Sequence, residues 1–193
     1  MLFDALKLIQ TSLQAYIAEA EDTTQTQEIV QLDNIALSSV LGGERENLDG
    51  QIIMSLVNLQ EETTLKNKPH YRQQNGKTVY KNPPVSLNLF VLFSSLDSRN
   101  YETSLKRLSR IVEFFQWRKE FSYSLISPEF NISQDVILRP DLYTLTFEQL
   151  NHLWGALGGK QVPFVLYRMR LLTVEANKRR AEGEEITEIL INE

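Results

Sequence analysis

The chain has 193 residues, with 20 Lys and Arg against 25 Asp and Glu, a formal charge of −5, two histidines and no cysteine. The missing thiols exclude disulfide scaffolds, thiolate zinc sites, iron–sulfur clusters and cysteine nucleophiles, and two histidines leave little for an imidazole metal site, so neither metal nor cofactor is expected. Hydrophobic residues at 42% can fill a real core, while the mildly acidic balance gives no positive field to gather nucleic acid or anionic lipid.

The first segment places Leu2, Leu6, Ile9, Leu13, Ile17 and Ala20 at steps of three and four, with charged and amide residues between them. That spacing predicts an amphipathic helix with one buried face. A polar turn over 21–27 leads into a short strand at Ile29 to Leu32, and Gly42-Gly43 mark a loop. From Gln51 to Glu62 the side chains alternate as in a strand, more two-sided toward its start. Asn75-Gly76 is a strong hairpin signal, because a type I′ turn needs positive φ at both central residues. A two-residue loop there sets Gln74 opposite Lys77, Gln73 opposite Thr78, Arg72 opposite Val79 and Tyr71 opposite Tyr80, a polar ribbon that cannot be core.

Pro83-Pro84 end the ribbon, and Val85 to Phe93 reads as a strand buried on both faces at its far end. Asn100 is placed to cap a helix whose apolar stripe is Tyr101, Leu105, Leu108, Val112 and Phe115, with Glu102, Lys106, Arg110 and Glu113 opposite. Thr146-Phe147-Glu148-Gln149 is a capping box, and Leu145 with Leu150 occupy the staple positions. The helix so begun carries Leu150, Leu153, Trp154 and Leu157 inward and stops at Gly158-Gly159. Phe164 to Val174 alternates as a long strand. Residues 1–174 then form one domain, and 175–193 a charged linker carrying an apolar tip, Ile186, Ile189, Leu190 and Ile191. This order predicts an α+β fold with a mainly antiparallel sheet and helices packed on one side.

No apolar run approaches the roughly 20 residues of a membrane helix. No basic segment precedes an apolar one at the start of the chain, so synthesis in the cytoplasm without membrane insertion is expected. Gly158-Gly159-Lys160 is not a phosphate loop, because Trp154 stands where its first glycine belongs and the glycines close a helix instead of opening one. His152 has no Gly-x-Ser-x-Gly nucleophile to serve and reads as a half-exposed structural histidine, so no catalytic residue is assigned. Lys106, Arg107 and Arg110 make a basic helix edge and Lys178-Arg179-Arg180 a second cluster, but Glu182, Glu184, Glu185 and Glu188 follow at once and cancel most of the latter. Docking to protein is the reading that this balance favours, with no nucleic acid as partner.

The run from Pro83 to Phe93, then Asn100-Tyr101-Glu102, Leu105-Lys106-Arg107-Leu108-Ser109 and Phe114-Phe115-Gln116, and above all Leu145 to Trp154 continuing through Gly158-Gly159-Lys160-Gln161-Val162-Pro163, resemble the cap or tail-terminator proteins of contractile injection systems. The resemblance runs over essentially the whole chain and is most specific from Leu145 to Tyr167. It implies a phage tail-terminator-like fold and a structural, non-enzymatic role. The expected assembly is a homohexameric ring that ends an inner tube and its contractile sheath, in a particle either released or membrane-anchored. An assembly chaperone or regulatory module for sheath or tube subunits is the alternative. In either role the surfaces that matter are adhesive. The candidates are the hairpin (Tyr71, Arg72, Asn75, Gly76, Lys77, Tyr80), the helix exit and last strand (Lys160, Gln161, Arg168, Arg170), and the tail (Ile186, Ile189, Leu190, Ile191), together with open sheet edges.

Overall fold

A computed structural model describes residues 2–21, 28–38, 43–44, 48–62, 71–74, 77–80, 85–127, 132–174 and 181–184. Its helices are α1 (Leu2–Ala20), α2 (Tyr101–Trp117) and α3 (Phe147–Leu157), with a 3₁₀ turn at Ile35–Leu37. The strands are β1 (Val30–Leu32), β2 (Gln51–Glu61), β3 (Tyr71–Gln74), β4 (Lys77–Tyr80), β5 (Val85–Leu96), β6 (Phe121–Ser127), β7 (Ile132–Leu142), β8 (Phe164–Val174) and β9 (Ala181–Glu184). Six of them form one sheet in the order β1-β2-β5-β8-β7-β6, and β3, β4 and β9 form a second, smaller one. Among the described strands only β1 with β2 is parallel, so the α+β class with a mainly antiparallel sheet holds.

The pleat sorts the core. Ile52 and Met54 of β2, Leu89, Val91 and Phe93 of β5, and Tyr167 and Met169 of β8 face one way, where α1 and α2 cover them. Their neighbours Ile53, Phe90, Leu92 and Leu166 face the other way and meet Trp154 of α3 together with Ile35, Leu48 and Val162. Strands buried on both faces read as continuous apolar runs, as Leu89 to Phe93 does. α1 and α2 thus share one face as expected, and α3 covers part of the opposite face. On the α1–α2 side Phe93, Phe115 and Tyr167 pack as rings 4.3–6.0 Å apart. Burial pushes the Tyr167 phenol pKa up, so it sits in the core as a neutral group.

α1 follows the expected stripe from Leu6 through Ile9 and Leu13 to Ile17, while Leu2 is half-buried and Ala20, at the helix end, is exposed. It also ties down the sheet margin. Gln14 Oε1 accepts from the backbone N–H of Ile29 at 2.9 Å and of Val30 at 2.8 Å, and Gln10 Nε2 donates to the Val30 carbonyl at 2.8 Å. Backbone groups of β1 that would otherwise form an open edge are therefore taken by side-chain amides.

α2 corrects the expected stripe. Asn100 caps it, its Oδ1 accepting from the N–H of Glu102 and Thr103 at 3.1 and 3.3 Å. However, the residues turned inward are Ser104, Arg107, Ile111, Phe114 and Phe115, while Tyr101, Leu105 and Val112 are exposed. Apolar residues occupy more than half of this helix's circumference. The sheet selects the arc that buries both phenylalanines. Arg107 accordingly leaves the expected basic edge and lies in the protein, beside Glu21.

α3 begins as read, with the Thr146 hydroxyl accepting from the Gln149 N–H at 3.3 Å and Gln149 Oε1 accepting from the Thr146 N–H at 3.1 Å. It ends at Gly158 and Gly159 with φ of 120° and 80°, a region that side chains with a Cβ avoid. Only Trp154 of α3 is fully buried, over Ile53, Phe90, Leu92 and Leu166 of β2, β5 and β8; Leu150, Leu153 and Leu157 are half-buried. Thr146→Ala should cost about 1 kcal/mol by removing the cap, read as a lower urea midpoint at unchanged slope, and an unchanged midpoint would mean the box adds nothing.

The hairpin of β6 and β7 is absent from the sequence reading, and His152 is exposed where half-exposure was expected. Within the segment taken as a charged linker, Ala181–Glu184 is a strand antiparallel to β4. Its Ala-Glu-Gly-Glu sequence has poor strand propensity, so the ladder to the hairpin supplies the order. The turn at 22–27, Gly42, the basic cluster 178–180 and the tail beyond 184 lie outside the described residues.

Candidate assembly surfaces

The hairpin pairs in the register set by a two-residue turn: Tyr71 with Tyr80, Arg72 with Val79, Gln73 with Thr78 and Gln74 with Lys77. Asn75 and Gly76 themselves lie outside the described residues. An isolated two-stranded ribbon is marginal in water, and β9 supplies a third strand by pairing Ala181 with Tyr80 and Glu184 with Lys77. The chain therefore passes residue 184 at the turn end of the hairpin. Of the tail candidates, Ile186, Ile189, Leu190 and Ile191 lie beyond the described residues.

Lys160 and Gln161 follow the α3 exit and are exposed. Arg168 and Arg170 lie on β8, on the face that α3 leaves open toward β7. Register sets Asp141 opposite Arg168 and Arg139 opposite Arg170. Asp141 forms an ion pair with Arg170 and stands 3.8 Å from Arg168, while Arg139 pairs with Glu120 at 3.0 Å. Two guanidinium groups thus share one carboxylate, leaving a positive excess on this part of the sheet. Salt bridges as exposed as these contribute little to stability, so their value is in presenting charge. The structure does not bring Arg168 and Arg170 together with the hairpin into one site.

Sequence reasoning missed two further surfaces. One is a set of large apolar side chains left in solvent, with Phe147 87%, Trp117 70% and Tyr101 64% exposed. The other is the second half of β2. β1 pairs only with Ile52 to Met54 of β2, and the Ser55 hydroxyl then accepts from the Ile35 N–H at 3.0 Å and donates to the Asp33 carbonyl at 2.6 Å. From Leu56 onward β2 has β5 on one side and no described strand on the other. A bulge at Val57 sharpens the local twist here. Two grooves open along this stretch. One, of about 500 Å³, lies between Leu2, Phe3, Leu6, Leu32, Leu56 and Leu157. The other, of about 510 Å³, lies between Leu59, Phe90, Tyr143, Leu145, Leu153 and Leu166. An edge with alternating pockets would have been legible only from knowing how short β1 is.

Among the described residues no cluster of His, Asp and Glu could hold a metal ion, and no helix is long and apolar enough to cross a membrane.

The sequence profile of the Pvc16 N-terminal domain family matches residues 5–188. No curated protein matches the chain significantly. Among solved structures, the PVC sheath/tube terminator of an extracellular contractile injection system, in its extended state, is similar with a TM-score of 0.65 at 12% identity. The tube-terminating cap of the anti-feeding prophage is similar with a TM-score of 0.62, also at 12% identity. Each likeness covers 100% of this chain but only 62% and 61% of the solved chain. At that identity the likeness establishes the fold; both neighbours are described as terminators or caps of a tube, not as enzymes.

Proposed function

Because the chain belongs to the Pvc16 N-terminal domain family, we propose that it is a structural cap of a contractile injection system, closing the end of an inner tube and its sheath and halting their growth. The observation that carries this reading is the match of the family over nearly the whole chain, together with a fold shared from end to end with two tube-terminating proteins. Its partners on this reading are further copies of itself, the sheath protein and the tube protein. It is made in the cytoplasm and ends as part of the particle.

Size supports a ring. A 193-residue domain has a radius of gyration of about 16 Å and a diameter of about 40 Å as a solid body. Six such bodies in contact leave a central opening about one body wide, suited to a collar on a protein tube. Head-to-tail contacts that close after six steps stop further addition, which is how a ring limits growth. The hairpin, the positive patch of Arg168 and Arg170, and the tail are the surfaces assigned to neighbouring copies, sheath and tube.

The test is tube growth. Protein added to polymerising tube and sheath subunits should shorten the products as its ratio rises, and lengths that do not respond would sink the terminator role. The tail is tested separately by truncation after Glu184, which keeps β9 paired to β4. The truncated chain should melt like the full one, while a species near six times 22.3 kDa in light scattering gives way to smaller ones. Unchanged assembly would remove Ile186, Ile189, Leu190 and Ile191 from the interface.

A further inference from the structure

We propose that the open half of β2 accepts strand β6 of a neighbouring copy, so that the six-stranded sheets run on from one subunit to the next around the ring. The inference rests on the ring reading above and names its subunit contact.

Three observations carry it. First, the sheet treats its two ends differently. The outward backbone groups of Val30 on β1 are taken by Gln10 and Gln14, whereas β2 from Leu56 to Gln60 has no described strand on the side away from β5. Sealing one stretch and leaving the adjacent one open is the pattern of an edge kept for a partner. Second, two grooves of about 500 and 510 Å³ open along the edge, one between the start of α1 and the end of α3 and one between β2, Tyr143 and α3. An extended strand is the ligand that uses such a site fully. Its backbone bonds the edge, and its alternate side chains enter the two grooves. Third, β6 is the opposite margin of the same sheet and pairs only with β7 among the described strands.

β6 suits the site in polarity and charge. Counting antiparallel steps across β2, β5, β8, β7 and β6 leaves β2 and β6 running in the same direction. A neighbour rotated about an axis along the strands therefore brings β6 beside β2 in parallel. β6 itself, Phe-Ser-Tyr-Ser-Leu-Ile-Ser, has no charge to bury, and Arg118 and Lys119 precede it. The chain's own tail is a poorer occupant, because Glu185 and Glu188 would carry charge into the edge that β6 fills with uncharged side chains. Joining these two stretches head to tail pairs the open half of β2 and the outer side of β6 in every subunit of a closed ring.

The absence of native cysteines makes cross-linking a clean test. Asn58 on β2 and Ser122 on β6 are both exposed, so cysteine at either should leave the fold intact. The full chain carrying Asn58→Cys and Ser122→Cys, oxidised alone and with tube and sheath present, should give a ladder of covalent multimers ending at six. Asn58→Cys with Glu113→Cys, placed on the outer face of α2, should give only background. A ring that forms with no more linkage than that control, or that links Asn58→Cys to Ile189→Cys of the tail instead, overturns β6 as the occupant and leaves the cap reading standing. A protein that stays monomeric under every condition overturns both.

Discussion

Replacing Trp154 with alanine should lower stability by about 3–5 kcal/mol. Trp154 is 3% exposed and is the one fully buried residue of α3. Its ring meets Phe164 edge-on at 5.3 Å, and it belongs to the cluster with Ile53, Phe90, Leu92 and Leu166 that closes the second face of the sheet. Truncation removes that contact area and leaves a cavity that a short, half-buried helix is poorly placed to fill. The loss should appear in urea unfolding as a lower midpoint. Trp154→Phe should recover most of it, since an aromatic ring still reaches Phe164 and the indole N–H it gives up meets no acceptor among the described residues. A loss below about 1 kcal/mol for the alanine variant would mean that α3 is not seated on the sheet through this residue.

Arg107→Ala is expected to cost about 2–4 kcal/mol, near the lower part of the range for breaking a buried ion pair because Glu21 keeps some solvent. The Arg107 side chain is 10% exposed and that of Glu21 27%. Nε and Nη2 donate to the two Glu21 carboxylate oxygens at 3.0 and 3.1 Å, and Nη1 donates to the Gly50 carbonyl at 2.6 Å. One guanidinium therefore joins the end of α1, the middle of α2 and the turn that launches β2. It also offsets an acidic group at a helix C-terminus, where the backbone dipole disfavours negative charge. Arg107→Met keeps the apolar stem but strands Glu21, so it should lose most of the same stability. A double-mutant cycle with Glu21→Gln should return a coupling above about 1 kcal/mol, and additive losses would mean that the bidentate geometry contributes nothing.

Local signals were legible where chemistry is confined to a few residues. The Asn75-Gly76 pair set the hairpin register to the residue, Thr146 to Gln149 fixed the start of α3, and Gly158-Gly159 its end. Long alternating runs placed β5 and β8. What the sequence hid depends on tertiary choice. α2 offers two apolar arcs, and only the sheet decides that Ile111 and Phe114 go in while Tyr101 and Leu105 stay out. The alternation Phe121-Ser122-Tyr123-Ser124-Leu125 is a readable strand signal. β9 is legible in no pattern, since Ala-Glu-Gly-Glu becomes a strand only by pairing with β4. Of the assembly surfaces, the hairpin and β8 were visible as polar or mixed alternation. The open β2 edge was not, because it arises from the mismatch between a three-residue β1 and an eleven-residue β2.

The central claim is that this chain sits at the end of a tube and stays there. Electron microscopy of intact particles carrying a labelled copy, with label counted per particle, tests it most directly. The account predicts label at one end only, in six copies, on particles of uniform length. Label spread along the sheath, or found on free subunits and missing from finished particles, would contradict it and identify the chain as an assembly chaperone instead.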